Sequence, residues 1–407
     1  MFPVIFRQPC VNKTAHQRET GGISGCSIRL GLKGETLMDQ HPATIPESPE
    51  YLRMSLAAAM TLGFRPGIFY RNARLHCINL LMTYKGGCAA RCAYCGLSNN
   101  RPGEYQEKSF IRVTWPTHPV AEVIERIAER QHRVKRICIS QITNRRAVGD
   151  TLTICRQLRS SFDIPVSLLV SPTIVTQRDL MDFKTAGADK IGVAIDLATP
   201  TLFDRYRGSG VDGPHCWDIY MNRLAEAIKI FGTRNAGSHF VTGMGETEKQ
   251  MVDIIQKIQD MGGWTHLFSF CPEPGSQMVD HPMPAMDHYR RIQLARYLID
   301  KNLSHAKFFV YDKKQKIIDF GLPAGKLDAV ISSGEPFRTS GCEGYDGQVA
   351  CNRPFANSRP GPEMRNYPFP PTQADIELIR KQLHLKPVRP EMSHPLNRQG
   401  GNSEVIN

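Results

Sequence analysis

The sequence lacks any long hydrophobic run. No segment of its 407 residues approaches the roughly 18 consecutive apolar residues that a membrane-spanning helix requires. The opening MFPVIF is also too short for the apolar core of a secretory signal. These absences argue against a membrane-spanning or secreted protein and predict a cytoplasmic one.

Acidic residues are scarcer than basic ones. The chain has 39 Asp and Glu against 51 Lys and Arg, which gives a formal net charge of +12. The excess is spread along the chain and does not form blocks. It fits either an acidic partner or an ordinary solvated surface, and the composition leaves both interpretations open.

Strand-like and helix-like patterns alternate between residues 51 and 325. The predicted strands are HCINLLM (76–82), KRICISQ (135–141), PVSLLV (165–170), DKIGVAI (189–195), GSHFVT (237–242), THLFSF (265–270) and AKFFVY (306–311). Asp150 and Thr176 are predicted to cap two of the intervening helices. Each connection is long enough for a helix, so the strands should be parallel. The predicted fold is α/β, a full or partial (β/α) barrel, with the chemistry on loops at the carboxyl ends of the strands.

The flanking segments have a different character. Residues 1–50 show no periodicity and are predicted to be a poorly ordered tail, and residues 386–407 a disordered one. Residues 326–385 are predicted to be a C-terminal extension of the barrel that contains cysteines.

Cysteine is abundant, with 12 residues, and in a cytoplasmic protein this favours metal or redox chemistry over disulfides. Cys88, Cys92 and Cys95 form a C-x3-C-x2-C triplet directly after the first predicted strand. Three thiolates can hold three irons of a [4Fe–4S] cube and leave the fourth iron open to a small molecule. The alternative is zinc, which usually takes four ligands in two pairs, and no second pair lies nearby.

This triplet resembles the signature of the radical S-adenosylmethionine (SAM) superfamily, and Tyr94 before the third cysteine fits it as well. The resemblance implies that Cys88, Cys92 and Cys95 hold the catalytic [4Fe–4S] cluster and that SAM binds its open iron. Reductive cleavage of SAM then yields a 5′-deoxyadenosyl radical. Tyr94 would lie against the adenine.

The same resemblance suggests further SAM-binding residues at the strand ends. Ser140 and Gln141 are in the polar stretch that ends the second strand, although the family's commoner pattern there is glycine-rich with an acid. Asp196 follows the fourth strand and could bind ribose or substrate, or simply cap a helix. Gly243 and Glu246 belong to TGMGET, which resembles a family segment placed under SAM, and Glu246 could equally be an acid at a helix start.

Three further residues near these strand ends are candidates for binding SAM or substrate. Thr143 lies beside the second strand's polar stretch, and Arg205 or Arg207 in FDRYRG could meet a carboxylate. Arginines at such positions are more often ordinary surface residues.

A second cysteine pair lies outside the repeat. Cys342 and Cys351 bracket a glycine-rich loop, which favours an auxiliary iron–sulfur cluster over two unrelated thiols. Cys77 is the predicted third ligand and Cys138 is an alternative, while Ser340 or Ser358 could supply an oxygen.

These segments resemble sulfur-inserting radical SAM enzymes, the biotin and lipoyl synthases. VSLLVS and GSHFVT lack the strand cysteines of biotin synthase, and the C-x4-C-x5-C run of one-chain lipoyl synthase is absent. Residues 50–385 most resemble one component of the two-protein lipoyl synthases, for example in HCINLLMTYKGGCAARCAYCGL and SGCEGYDGQVACNRPFANSRPG.

That resemblance implies a sulfurtransferase acting on an octanoyl chain, which is carried on a lysine of a lipoyl carrier protein or an H-protein-like domain. The implied partners are this carrier, a sister radical SAM protein, and an electron donor such as ferredoxin or flavodoxin, with no nucleic acid and no membrane. Two alternatives stay open: a radical SAM isomerase or cofactor-assembly enzyme without sulfur insertion, and a non-catalytic iron–sulfur or zinc scaffold.

Overall fold

The computed structural model describes residues 45–355, 361 and 363–385. The predicted tail 386–407 and residues 1–44 of the predicted tail 1–50 lie outside the described residues. Residues 45–50 lie against the barrel, where Glu47 accepts a hydrogen bond from the backbone N–H of Lys85 at 2.5 Å. Arg146 also donates to the Glu47 carboxylate at 2.8 Å. The folded unit therefore begins before residue 51.

Eight strands of the described chain form one sheet. They are β1 (Tyr51–Met54), β2 (Cys77–Met82), β3 (Thr117–Pro119), β4 (Arg136–Ser140), β5 (Val166–Val170), β6 (Ala188–Asp196), β7 (Ala236–Thr242) and β8 (Trp264–Ser269). A separate two-stranded sheet contains β9 (Val310–Tyr311) and β10 (Ile317–Asp319).

Helices connect the strands on the outside. They are α1 (Leu56–Thr61), α2 (Val120–Glu129), α3 (Ala147–Ser161), α4 (Gln177–Thr185), α5 (Pro200–Arg207), α6 (Trp217–Phe231), α7 (Glu248–Asp260), α8 (Met286–Asp300), α9 (Ala324–Ser332) and α10 (Gln373–Leu383). No helix among the described residues is long and apolar enough to cross a membrane.

The sheet is a partial barrel. Its order is β3-β1-β2-β4-β5-β6-β7-β8, and the six strands from β2 through β8 in this order are parallel. β1 and β3, which the sequence analysis did not predict, add an antiparallel edge. In the part of the chain that the structure describes, β3 and β8 are the two edges, so the barrel stays open between them. The predicted (β/α) fold is confirmed.

Five of the ten helices named above, α1, α4, α5, α7 and α10, begin directly after a residue whose side chain caps the helix. Thr176 caps α4 as predicted, in a capping box in which Asp179 supplies the reciprocal bond. The prediction for Asp150 was wrong: α3 begins at Ala147, and Asp150 lies within its first turn. Its carboxylate accepts a hydrogen bond from the Tyr84 hydroxyl at 2.9 Å, so a tertiary contact occupies it.

The seventh predicted strand, AKFFVY, does not join the barrel. Residues 306–308 form a single helical turn, and Val310–Tyr311 pair antiparallel with β10. The backbone N–H of Ala306 donates to the Gln256 side chain of α7 at 3.0 Å, so this segment lies on the outer face of a helix. Phe308 and Val310 remain exposed, which a central barrel strand would not allow.

Candidate active site

The cysteine loop follows β2 and bridges several strand ends. Gly87, with φ of 61°, turns the chain after Tyr84, and its N–H donates to the Tyr84 carbonyl at 2.9 Å. The N–H of Ala89 donates to the carbonyl of Thr143 beyond β4, and that of Ala93 to the carbonyl of Tyr206 in α5, both at 2.8 Å. The loop is therefore held at the carboxyl ends of the barrel strands.

The three loop thiols line one cavity. Burial raises the pKa of the Cys92 thiol to about 12, and the neighbouring Cys88 thiol contributes to the rise. Burial raises the pKa of Cys95 well above its usual value, with both other thiols adding to it. Without metal, the Cys92 and Cys95 thiols are protonated at neutral pH, and iron binding would replace their protons.

The donor set fits a cube with one open iron. Among the described residues, no group of three His, Cys, Asp or Glu side chains is close enough to hold a single metal ion. A four-iron cube instead takes one thiolate on each of its irons. Cys88, Cys92 and Cys95 would hold three irons, and the loop offers no fourth cysteine.

Two predicted cofactor residues meet beside this loop. The Tyr94 hydroxyl donates to Asp196 Oδ2 at 2.6 Å, and Arg207 donates to the Tyr94 oxygen at 2.7 Å while it pairs with the Asp196 carboxylate. Asp196 has φ of 66°, an uncommon conformation that turns its side chain at the end of β6. Arg207 Nε is buried with no hydrogen-bond partner among the described residues. Arg205, by contrast, is exposed.

A buried polar chain behind Arg207 was missed by the sequence analysis. Arg207 donates to the Tyr220 hydroxyl at 3.2 Å, and that oxygen lies 2.9 Å from His215 Nδ1. Thr173 Oγ1 lies 2.6 Å from the same nitrogen. Burial, aided by the Arg207 charge, lowers the pKa of His215 to about 2, so the imidazole is neutral. Arg207 ends α5, Tyr220 lies in α6, and Thr173 and His215 lie on two separate loops, so no local motif links them.

The residues predicted after β4 line the cavity, but their polar atoms are partly occupied. The Gln141 amide donates to the Thr151 hydroxyl at 3.1 Å, and its oxygen accepts from the N–H of Ser171 at 3.2 Å. Thr143 and Ser171 lie 3.0 Å apart through their hydroxyls. Ser140 also lines the cavity. Gln141 therefore joins α3 to β5, and the prediction that it binds SAM stays a prediction.

The structure does not bring Gly243 and Glu246 into the cavity. The Glu246 carboxylate accepts hydrogen bonds from the N–H groups of Gly243 at 2.6 Å and Met244 at 3.0 Å. It also lies 3.7 Å from His288. Glu246 does not cap α7 either, because Thr247 does so in a capping box with Gln250. Its role here is to close its own loop, which the TGMGET pattern alone does not reveal.

The second cysteine set is brought together inside the barrel. Asn79 Nδ2 lies 3.6 Å from Cys77 Sγ and 3.4 Å from Cys351 Sγ. Arg353 Nε donates to Cys351 Sγ at 3.1 Å. The hydrogen bond from Cys77 and the Arg353 charge hold the pKa of Cys351 well below its usual value.

Two more thiols complete this set. Cys138 and Cys342 are close enough for their charges to interact with that of Cys351, and burial raises their pKa values to about 11 and about 12. Cys342 Sγ lies 3.6 Å from His266 Nε2. Ser340 is not free to bind metal, since its hydroxyl accepts from the N–H of Leu267 at 2.9 Å. Ser358 lies outside the described residues.

The cavity of the loop cysteines also reaches one member of the second set. The loop cysteines line it together with Cys138 and Arg353. Its other walls are largely apolar and include Leu81, Leu97, Phe110, Ile111, Trp115, Phe268, Phe270 and Phe355. Cys77 begins β2, whereas the loop follows its end, so about 17 Å of strand separates the two levels.

Residues 82–258 match the model of the Radical SAM superfamily, a match that includes all three loop cysteines. This stretch of the chain is therefore similar to radical SAM domains. A domain of this type takes a [4Fe–4S] cluster and SAM as cofactors, and the donor set described above fits both. The chain is also 27% identical over 236 residues to a biotin synthase of Cutibacterium acnes, a region that covers 57% of this chain and 61% of that protein.

Solved structures with similarity include methylornithine synthase, with a TM-score of 0.42, 11% identity, and coverage of 60% of this chain and 66% of that one. The hydrogenase maturase HydG from Carboxydothermus hydrogenoformans has a TM-score of 0.41 and 16% identity, covering 60% and 56%. At these TM-scores the similarities carry no information about function.

Proposed function

We propose that this protein is a radical SAM sulfurtransferase. It replaces an unactivated C–H bond of an octanoyl chain by a C–S bond, with the chain held on a lysine of a lipoyl carrier protein or an H-protein-like domain. The observation that carries the proposal is the second set of thiols, Cys77, Cys138, Cys342 and Cys351, which lie close enough to interact electrostatically. One of them, Cys138, lines the same cavity as the loop cysteines.

The residues that line the cavity have different proposed roles. When bound, the loop cluster supplies the electron that cleaves SAM to the radical that removes hydrogen from the chain. Arg207 and Asp196 offer a buried cation and a carboxylate for the polar groups of SAM. The apolar walls keep water from the radical and fit an aliphatic chain.

The deeper cysteines would hold an auxiliary cluster that donates the sulfur. Arg353 and Cys77 lower the pKa of Cys351 and so favour its thiolate, the form in which cysteine binds iron. Arg353 also lines the cavity, and its positive charge would offset part of the negative charge of thiolates and sulfides. Cys138, the alternative third ligand named from the sequence, is a further candidate because its charge would interact with that of Cys351.

The proposed partners follow from this chemistry. The net charge of +12 suits an acidic carrier domain, because complementary charge speeds encounter. A sister radical SAM protein would insert the other sulfur, and ferredoxin or flavodoxin would supply electrons.

The test is anaerobic reconstitution with SAM, a reductant and an octanoylated carrier peptide, followed by mass analysis. Wild-type protein should release 5′-deoxyadenosine and add sulfur to the peptide. Cys88→Ala should do neither, and Cys342→Ser should release 5′-deoxyadenosine without adding sulfur. Cys216→Ser, at an exposed cysteine, is the matched control and should match wild type.

Two outcomes would count against the proposal. Sulfur addition by the Cys342→Ser variant would remove the auxiliary cluster as donor. Wild-type protein that forms 5′-deoxyadenosine and binds the peptide, but adds no sulfur, would favour the radical SAM enzyme without sulfur insertion.

A further inference from the structure

One wall of the cavity is a tight turn with unusual backbone geometry. Phe110 and Val113 exchange backbone hydrogen bonds of 3.0 and 3.4 Å. The two residues between them, Ile111 and Arg112, have φ of 54° and 59°. Two-residue turns of this type favour Asn-Gly, and a β-branched residue with positive φ is an outlier. The local sequence does not favour this turn, so tertiary contacts must hold it.

The main contact is the carboxylate of Glu273, whose residue is 3% exposed. Glu273 Oε2 accepts from the backbone N–H of Arg112 at 2.7 Å, and Oε1 accepts from the Ser109 hydroxyl at 2.5 Å. The Arg101 guanidinium lies 3.6 Å from Oε1. Hydrogen bonds to an ionised group are the stronger kind, so a residue after β8 fixes a turn far away in sequence.

The same carboxylate packs against the end of the cysteine loop. Gly96 directly follows Cys95, and a Cβ placed on it would stand 2.3 Å from the Ser109 carbonyl oxygen and 2.9 Å from the Glu273 carboxyl carbon. Arg101 donates to the carbonyls of Gly96 at 2.8 Å and Ser109 at 3.0 Å. The turn is therefore set in a fixed relation to the loop that holds the catalytic cysteines.

The turn presents apolar side chains to the cavity. Phe110, Ile111 and Val113 all line it. Trp115 supports the turn from behind, since its Nε1 donates to the Phe110 carbonyl at 2.8 Å and its ring centroid lies 5.4 Å from that of Phe110.

We propose that Glu273 is a positioning residue that holds the Phe110–Val113 turn as an apolar wall of the reaction cavity, and that Ile111 on this wall contacts the aliphatic chain of the substrate. The identity of that chain rests on the proposed function. The positioning role of Glu273 is argued from its contacts in the structure and does not depend on the proposed function.

The first experiment tests the positioning in reconstituted protein without substrate. Glu273→Gln keeps the shape of the side chain but loses its charge and one acceptor oxygen. Hydrogen–deuterium exchange of the amides of residues 110–113 should become about tenfold faster. Glu104→Gln, an exposed glutamate of the same connection, should leave this exchange unchanged. Unchanged exchange in Glu273→Gln would overturn the positioning role.

The second experiment separates the turn's geometry from the Ile111 contact. Glu273→Gln should weaken binding of the octanoylated peptide about tenfold. Adding Ile111→Asn, which tolerates positive φ, should restore slow amide exchange but not peptide affinity. Recovery of affinity in the double variant would overturn the Ile111 contact.

The two proposals fail separately. Wild-type protein that binds the octanoylated peptide without transferring sulfur would overturn the proposed function and leave the Ile111 contact standing. Wild-type protein that does not bind the peptide would overturn the Ile111 contact. The hydrogen–deuterium exchange experiment uses no substrate, so it tests the positioning role of Glu273 whether or not the peptide binds.

Discussion

Arg207 is a buried cation that depends on one carboxylate, Asp196. Removing one member of a buried ion pair leaves the other charge without compensation, which costs about 3–5 kcal/mol. Arg207→Met should therefore lower the free energy of unfolding by about that amount, measured by urea denaturation of the protein without cofactors under anaerobic conditions.

An exposed pair provides the control for this prediction. Arg178 and Asp182 pair on α4 with side-chain exposures of 78% and 34%, and such pairs contribute about 0.3–0.5 kcal/mol. Arg178→Met should change stability by no more than this. Equal losses in the two variants would mean that the Arg207 pair contributes only as a surface pair does.

His288 makes the stability of the α7–α8 contact depend on pH. Burial opposes its charge, but hydrogen bonds with Glu246 and Glu248 raise its pKa to about 9. The folded-state pKa thus lies above the unfolded value of about 6.5. The stabilisation is complete below about pH 6.5 and is lost as the pH rises through 9.

The stability difference between wild type and His288→Gln should follow this dependence. It should be up to about 3 kcal/mol at pH 6 and should shrink as the pH rises to 9.5, as measured by denaturation at each pH. A difference that stays constant across this range would show that His288 does not titrate in this contact.

At the scale of single elements, glycines on two paired strands leave the space that one tryptophan of β8 occupies. A Cβ on Gly237 of β7 would stand 2.2 Å from the Trp264 carbonyl oxygen, and one on Gly192 of β6 would stand 3.3 Å from the Trp264 ring. These glycines are register partners. Gly237→Ala has no space for its methyl group and should lower the free energy of unfolding by about 2–3 kcal/mol.

Gly149 is the matched control for this substitution. It lies in α3, and an added Cβ would meet nothing within 4 Å. Gly149→Ala should raise stability by up to about 1 kcal/mol, since alanine is the better helix former. Denaturation of the two alanine variants side by side should give changes of opposite sign, and the same sign in both would contradict the clash at Trp264.

For the whole molecule, the decisive quantity is the number of irons that one chain binds. Two cubes require about eight irons per chain and one cube about four. Reconstituted wild type should contain about eight, and a Cys342→Ser/Cys351→Ser variant about four, by iron analysis with Mössbauer spectroscopy. Cys216→Ser should retain the wild-type content. Four irons in wild type would leave the deeper cysteines without a cluster.

The sequence by itself determined the parallel strands and the loop cysteines, because both are local. Six short apolar runs with helical connections specify the β/α repeat, and Cys88, Cys92 and Cys95 lie within eight residues of one another. The same locality explains the errors: AKFFVY has the composition of a strand, and only its contact with α7 excludes it from the barrel.

The tertiary structure decided which distant residues come together. Cys77 and Cys138 come from two strands and Cys342 and Cys351 from the C-terminal extension, and only folding places these four thiols together. Folding buries Arg207 and leaves Arg205 exposed. It also brings the Glu273 carboxylate to the backbone N–H of Arg112, 161 residues away in the sequence. Such contacts depend on how helices and loops pack against each other, and a local sequence pattern does not determine that packing.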